Sequence, residues 1–158
     1  MSLESVRFYL NEKAPDLVIL ELETSTATVA LAAEGHGVSH GQIAKTLAFR
    51  VGEKNALLVT AGDARLDNKK AKAAFGGKVK LLPLDEVEKI TGHPAGGVCP
   101  FGLLAPMPIY CDQSLKAYDE VVPAAGSINS AVRIEPIRMA DMVGAIWVDV
   151  CQNEQSRD

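Results

Sequence analysis

Residues 92–102, Gly92-His93-Pro94-Ala95-Gly96-Gly97-Val98-Cys99-Pro100-Phe101-Gly102, carry four glycines and two prolines in eleven positions. That density cannot continue a helix or a central strand, because Gly accepts φ > 0 while Pro fixes φ and lacks an N–H. The result is a shaped loop with bare backbone amides and little side-chain bulk. Such amides can hold a carbonyl or phosphate oxygen. A plain turn between a helix and a strand would have the same composition, so the loop alone leaves both readings level. Upstream, Lys45-Thr46-Leu47 lies in a strand-like run. A strand puts Lys45 on the same face as Ile43 and Leu47. A lysine between apolar neighbours is either a point charge for an anionic oxygen or a guard against edge-strand pairing. Thr46 either bonds a substrate or satisfies strand packing.

Other reactive side chains are scattered. Cys99 and His93 share the loop, and a thiol beside an imidazole is a nucleophile arrangement. Six positions apart in one loop does not define their geometry, and no third orienting residue is apparent. Cys99 otherwise lines a pocket. His36 and His40 sit among Gly35, Gly37 and Gly41 and are expected in solvent. Three scattered histidines make no metal site, so neither metal nor cofactor is expected. Asp112, after Pro108-Ile109-Tyr110-Cys111, either orients a substrate amine or caps the segment at Ser114.

The elements that must position these residues follow from periodicity. Ser2 caps a helix through Val6 and Leu10 that ends before Pro15, and residues 17–22 form a strand. Ser25 or Thr26 starts a second helix, stopped by Gly35 and Gly37. Strands over 43–51 and 56–61 pair through Gly52-Glu53-Lys54-Asn55. Asp67 opens a helix closed by Gly76-Gly77, a brief strand lies at 81–82, and another helix runs from Pro83 to Ile90. Short strands at 109–111, 120–123 and 131–134 follow the loop. Pro136 then begins a helix, and 145–150 is the last strand. The pattern predicts one mixed α/β domain, its central sheet largely antiparallel or mixed and flanked by helices. Residues 1–151 are read as that domain and 152–158 as a disordered tail.

At 158 residues, with 47% hydrophobic and 23% charged content, the chain can bury a full core. No apolar run approaches the ~20 residues of a membrane span, and the N-terminus lacks a signal pattern, so a cytoplasmic location is expected. Three cysteines without C-x-x-C spacing read as reduced thiols. The net charge is −4, yet residues 45–80 carry nine Lys/Arg against three acids, a local +6. A basic segment on an acidic body suits local, salt-sensitive contact with phosphates, or is a solvated face. No helix carries a stripe of base-reading side chains, which argues against DNA.

Taken in order, Lys45-Thr46, Ala61-Gly62-Asp63-Ala64-Arg65-Leu66-Asp67, Thr91-Gly92, the Gly-x-x-x-Pro loop Gly96 to Pro100, Pro108 to Asp112 and Ala125-Gly126 resemble the YbaK/EbsC family. This is the prolyl-tRNA synthetase-associated editing domain, and the likeness runs from about Val18 to Val150. The resemblance implies a free-standing aminoacyl-tRNA deacylase, acting in trans on proline tRNA that carries a small amino acid such as Ala, Cys, Ser or 2-aminobutyrate. It implies catalytic roles for Lys45, Gly96 and Gly97. Substrate contacts fall to Thr46, Val98, Cys99, Pro100, Phe101, Gly102, Asp112 and Gly126. With no side-chain base in these motifs, it further implies that a ribose hydroxyl of the substrate helps activate water. The partners implied are the tRNA acceptor end and, transiently, a prolyl-tRNA synthetase, with no membrane and no DNA. Two alternatives stay open: a non-catalytic tRNA-binding module of the same fold, and a Cys99-dependent hydrolase of small esters.

Overall fold

The computed structural model describes residues 2–152. Helices α1 (Ser2–Lys13), α2 (Val29–His36), α3 (Asn68–Phe75), α4 (Leu84–Thr91) and α5 (Pro136–Val143) surround the strands. The strands are β1 (Leu20–Glu21), β2 (Ile43–Val51), β3 (Lys54–Ala61), β4 (Lys80–Leu81), β5 (Ile109–Asp112), β6 (Val122–Pro123), β7 (Ser130–Ala131) and β8 (Ile146–Val148). None of the described helices is long and apolar enough to cross a membrane.

The main sheet runs β4-β2-β3-β5-β8, with β6 also pairing β2. The expected β2–β3 hairpin is present and antiparallel from Ala44↔Ala61 to Val51↔Lys54. Its turn contains Gly52 at φ +62°, a backbone that side-chain-bearing residues rarely adopt. Outside the hairpin, β3–β5, β5–β8 and β2–β6 are parallel. The sheet is therefore mixed, and β1 and β7 form a separate two-stranded ladder.

Alternation along β2 sends Ala44, Thr46 and Ala48 to one face and Ile43, Lys45, Leu47 and Phe49 to the other. The first face packs under α1 and α5 through Val6, Leu10, Val59, Cys111, Phe101 and Met139. On the second, α3 lays Ala71 and Phe75 against Phe49, Leu58 and Tyr110. The Phe75 ring stands 4.9 Å from Phe49 and 4.8 Å from Tyr110, centroid to centroid. Asp67 caps α3 as expected, accepting the N–H groups of Lys69 and Lys70.

Several expected boundaries shift for identifiable reasons. Helix α2 starts later than Ser25 or Thr26: Thr26 is held to the Ile128 carbonyl by its N–H and its hydroxyl, and Thr28 is the cap, accepting Leu31 N–H. Ser2 is the first helical residue of α1, and its hydroxyl goes to His93 Nδ1. The strand expected over 17–22 shrinks to Leu20–Glu21, because β7 offers only two residues to pair with. Of the expected tail, Gln152 donates its N–H to Arg65 O at 2.8 Å, and residues 153–158 lie outside those described.

Candidate functional site

The sheet has one interrupted edge, and the Lys-Thr pair lies in the interruption. Strand β6 pairs the first end of β2 at Ile43↔Val122 and Ala44↔Pro123. Strand β4 pairs the other end of the same edge at Phe49↔Leu81 and Arg50↔Lys80. Between them neither short strand reaches Lys45, Thr46 or Leu47. Gln42 O accepts Val122 N–H and Ala48 O accepts Leu82 N–H on this edge. Backbone groups of a strand alternate in direction, so Thr46 presents its N–H and C=O here too.

The glycine–proline loop closes the opposite wall. Helix α4 stops at Gly92, in the left-handed region at φ +83°, and Pro94 leads into a 3-10 turn over Ala95–Gly97. The resulting cleft has a cavity volume of about 120 Å³. Its walls are β2 at Lys45 and Thr46, the loop at Ala95, Gly96 and Val98, and α2 with its approach at Thr26, Val29, Ala32 and His36. An apolar side chamber of about 180 Å³ shares Thr46, Ala95 and Val98 with it and continues to Leu81, Leu82 and Val87.

Lys45 is half-buried and donates Nζ to Ala64 O at 2.7 Å. An ammonium has three N–H donors, and this contact uses one. Burial lowers its pKa below the ordinary lysine value, while nearby Cys151 and Asp63 oppose that shift. Thr46 Oγ1 lies at the cleft wall, buried and without a hydrogen-bond partner.

In the loop, the amides differ in availability. Gly97 N–H donates to Pro94 O at 2.8 Å, and its carbonyl accepts Gly126 N–H at 3.1 Å. A Cβ at Gly97 would lie 2.7 Å from Ser127 N, so this glycine serves close contact between two backbones rather than access for a ligand. Gly96 and Val98 line the cleft, and among the described residues their N–H groups have no backbone acceptor.

Six of the expected substrate contacts do not line the cleft. Cys99 and Phe101 are fully buried in the core beneath α1, and Pro100 is buried beside them. Gly102 packs on the backbone of Ser5, and Gly126 on the backbone of Ser2. Asp112 is buried, accepting Ser114 N–H and Val150 N–H at 2.8 Å each, so it ties β5 to the chain that follows β8.

The Cys99–His93 pair is assembled for structure. His93 Nε2 faces Phe101 O at 2.7 Å, and a carbonyl only accepts, so Nε2 carries the proton. Burial lowers the imidazole pKa, and the neutral ring accepts the Ser2 hydroxyl at Nδ1. Cys99 Sγ lies 3.7 Å from the protonated Nε2, which cannot take its proton. Burial pushes the Cys99 thiol up to about 12. A thiol in that state is no nucleophile at neutral pH.

His36 corrects an expectation. It is buried on the cleft wall, not in solvent, with Nε2 lacking a hydrogen-bond partner. Val29, Ala32 and His36 recur at i, i+3 and i+7, a single helix face, and that spacing was the available signal.

Known proteins resemble this chain over most of its length. The model of the aminoacyl-tRNA editing domain matches residues 23–142. The chain is 46% identical to the uncharacterized protein YwhH of Bacillus subtilis over 155 residues, 97% of this chain and 99% of that one. It is 30% identical over 125 residues to EbsC of Enterococcus faecalis, a candidate Cys-tRNA(Pro)/Cys-tRNA(Cys) deacylase, covering 77% of this chain and 76% of EbsC. The crystal structure of a candidate trans-editing enzyme for prolyl-tRNA synthetase superposes with a TM-score of 0.89 at 33% identity, over 96% of this chain and 98% of that one.

Proposed function

The chain belongs to the aminoacyl-tRNA editing domain family, and from that premise we propose that it hydrolyses, in trans, the ester between a small amino acid and the terminal ribose of a mischarged tRNA, proline tRNA first among them. The observation that carries this reading is the position of Lys45-Thr46 in the interrupted edge of β2, facing the Ala95–Val98 loop across one cleft.

The chemistry is addition of water to the ester carbonyl. The carbonyl oxygen becomes an oxyanion, the carbon–oxygen bond to the ribose breaks, and the ribose oxygen takes the proton that water gives up. Free amino acid and uncharged tRNA leave. Backbone donors aimed at the oxyanion stabilise it, each contributing roughly 2.7–4 kcal/mol. Gly96 and Val98 supply such amides, whereas that of Gly97 is committed to Pro94. Lys45, fixed by Ala64 O, directs its remaining donors to a ribose or phosphate oxygen. Among the described residues that line the cleft none is a carboxylate and the one imidazole, His36, is buried, so the vicinal ribose hydroxyl assists the attacking water. Arg65, Lys69 and Lys72 are exposed around α3, on the sheet face that carries Lys45, and guide the acceptor end by charge.

The deciding experiment is hydrolysis of proline tRNA charged with alanine, cysteine, serine or 2-aminobutyrate by wild type and Lys45→Ala. Release of amino acid from one or two of these esters, lost in Lys45→Ala, supports the reading. Tight tRNA binding without turnover of any ester points instead to a binding module that keeps the fold.

A further inference from the structure

Apart from the Lys45 ammonium, the polar side chains on the cleft wall are satisfied within the protein, with two exceptions. Thr26 Oγ1 donates to Ile128 O at 3.1 Å, Thr28 Oγ1 accepts Leu31 N–H at 3.1 Å, and Ser130 Oγ accepts the Ser127 hydroxyl at 2.6 Å. His36 Nε2 and Thr46 Oγ1 have no partner, and they are the only buried side-chain polar atoms in that condition among the described residues. A buried unmet polar atom costs about 1–3 kcal/mol, and native proteins hold few of them. Both atoms belong to residues that line one cleft and are shut off from water in the free protein, so a molecule that parts the wall there supplies their partner.

The two lie on different walls. Thr46 adjoins the loop at Ala95 and Val98, where the ester carbonyl is expected. His36 ends α2, 9% exposed, on the same helix face as Val29 and Ala32. Those two residues make this wall short and apolar, and His36 adds one polar nitrogen to it. Burial and the Arg133 guanidinium lower the His36 pKa, so the ring is neutral near pH 7 and acts as a hydrogen-bonding group, not as a charge.

We propose that His36 selects the amino acid removed: its Nε2 pairs with a hydroxyl on a small side chain, so that seryl esters are hydrolysed in preference to alanyl esters. This rests on the deacylase reading above. A hydroxyl both donates and accepts and therefore meets either tautomer of the imidazole, whereas a thiol is weak in both roles. The methyl of alanine and the ethyl of 2-aminobutyrate leave Nε2 unpaired. A site that bonds a substrate hydroxyl rejects the analogue lacking it far more strongly than an apolar pocket discriminates by size.

The test is the rate of release from proline tRNA charged with serine, cysteine, alanine or 2-aminobutyrate, by wild type, His36→Leu and His36→Gln, with thermal unfolding of each variant. Wild type is expected to favour serine over alanine by about tenfold or more in kcat/KM, with cysteine between them. His36→Leu should erase that ratio, and His36→Gln, whose amide also hydrogen-bonds, should restore part of it. Alanine or 2-aminobutyrate ahead of serine, cysteine ahead of serine, or an unchanged ratio in His36→Leu overturns the inference while leaving the deacylase reading intact. Should His36→Leu fail to fold, the wild-type order among the four esters still decides. Turnover of none of them by wild type removes the deacylase reading and this inference with it.

Discussion

Lys45 and Ala64 are joined by a hydrogen bond from Nζ to the carbonyl oxygen, 2.7 Å long, across nineteen positions of chain. Ala64 belongs to the turn that follows β3 and is itself buried, so the acceptor is fixed. The bond holds the ammonium at the cleft rather than letting a long side chain sweep through solvent. Lys45→Met keeps most of the aliphatic stem and removes the charge. Loss of one charge-assisted contact to the reacting region should lower kcat/KM by about 10²–10³-fold, with little change in melting temperature. A variant that retains half of wild-type activity would remove Lys45 from the chemistry.

The thiols should be inert. Cys99 and Cys111 are buried, and burial raises both to about 12. Iodoacetamide applied to the folded protein at pH 7.5 is expected to leave Cys99 unmodified by mass spectrometry and hydrolysis unimpaired. Rapid alkylation of Cys99 with matching loss of activity would restore the thiol-hydrolase alternative.

Stability should fall on the acid side, in part because of His93. Its folded pKa lies below the ordinary 6.5 through burial. Below pH 6.5 the unfolded chain takes up a proton that the native ring resists, so stability declines as pH drops from 6.5 toward the folded value. His36, also lowered by burial, adds in the same direction. Melting temperature measured from pH 7 to pH 5 should fall more steeply for wild type than for His93→Gln. Parallel curves would mean that His93 does not resist protonation in the fold.

Gly97 tests whether the loop is shaped for packing. A Cβ there would meet Ser127 N, C and O at 2.7–2.8 Å, and backbone cannot move aside cheaply. Gly97→Ala should destabilise by about 1–3 kcal/mol, read as a lower urea midpoint with an unchanged m-value. An unaltered midpoint would show that the two segments lie farther apart than this.

Much of this arrangement was legible in the chain because it is local. The β2–β3 hairpin follows from strand periodicity around Gly52, and Asp67 marks the start of α3 by its own side chain. The mixed pairing was less legible: β6 has two residues, and its place beside Ile43 and Ala44 depends on contacts some eighty positions away. The loop shows the same division. Its backbone irregularity reads directly from Gly and Pro, but composition does not say that Val98 faces the cleft while Cys99 and Phe101 turn into the core. His36 was misjudged because its flanking glycines resemble a solvated turn, although Gly37 ends α2 one residue later.

Thr46 separates function from stability. Its hydroxyl is buried and unpartnered in the free protein, so replacing it with the isosteric, apolar Val removes an unmet polar group without opening a cavity. Stability should therefore hold or rise, by up to about 1 kcal/mol. If the hydroxyl meets the ester or ribose, the same substitution removes a contact made only with substrate, and kcat/KM should drop about tenfold for every amino acid alike. That uniform loss distinguishes Thr46 from His36, whose replacement changes the ratio between serine and alanine. Equal melting curves with equal kinetics would place the Thr46 hydroxyl outside the reaction. A destabilised variant would show that the hydroxyl already has a partner in the free protein.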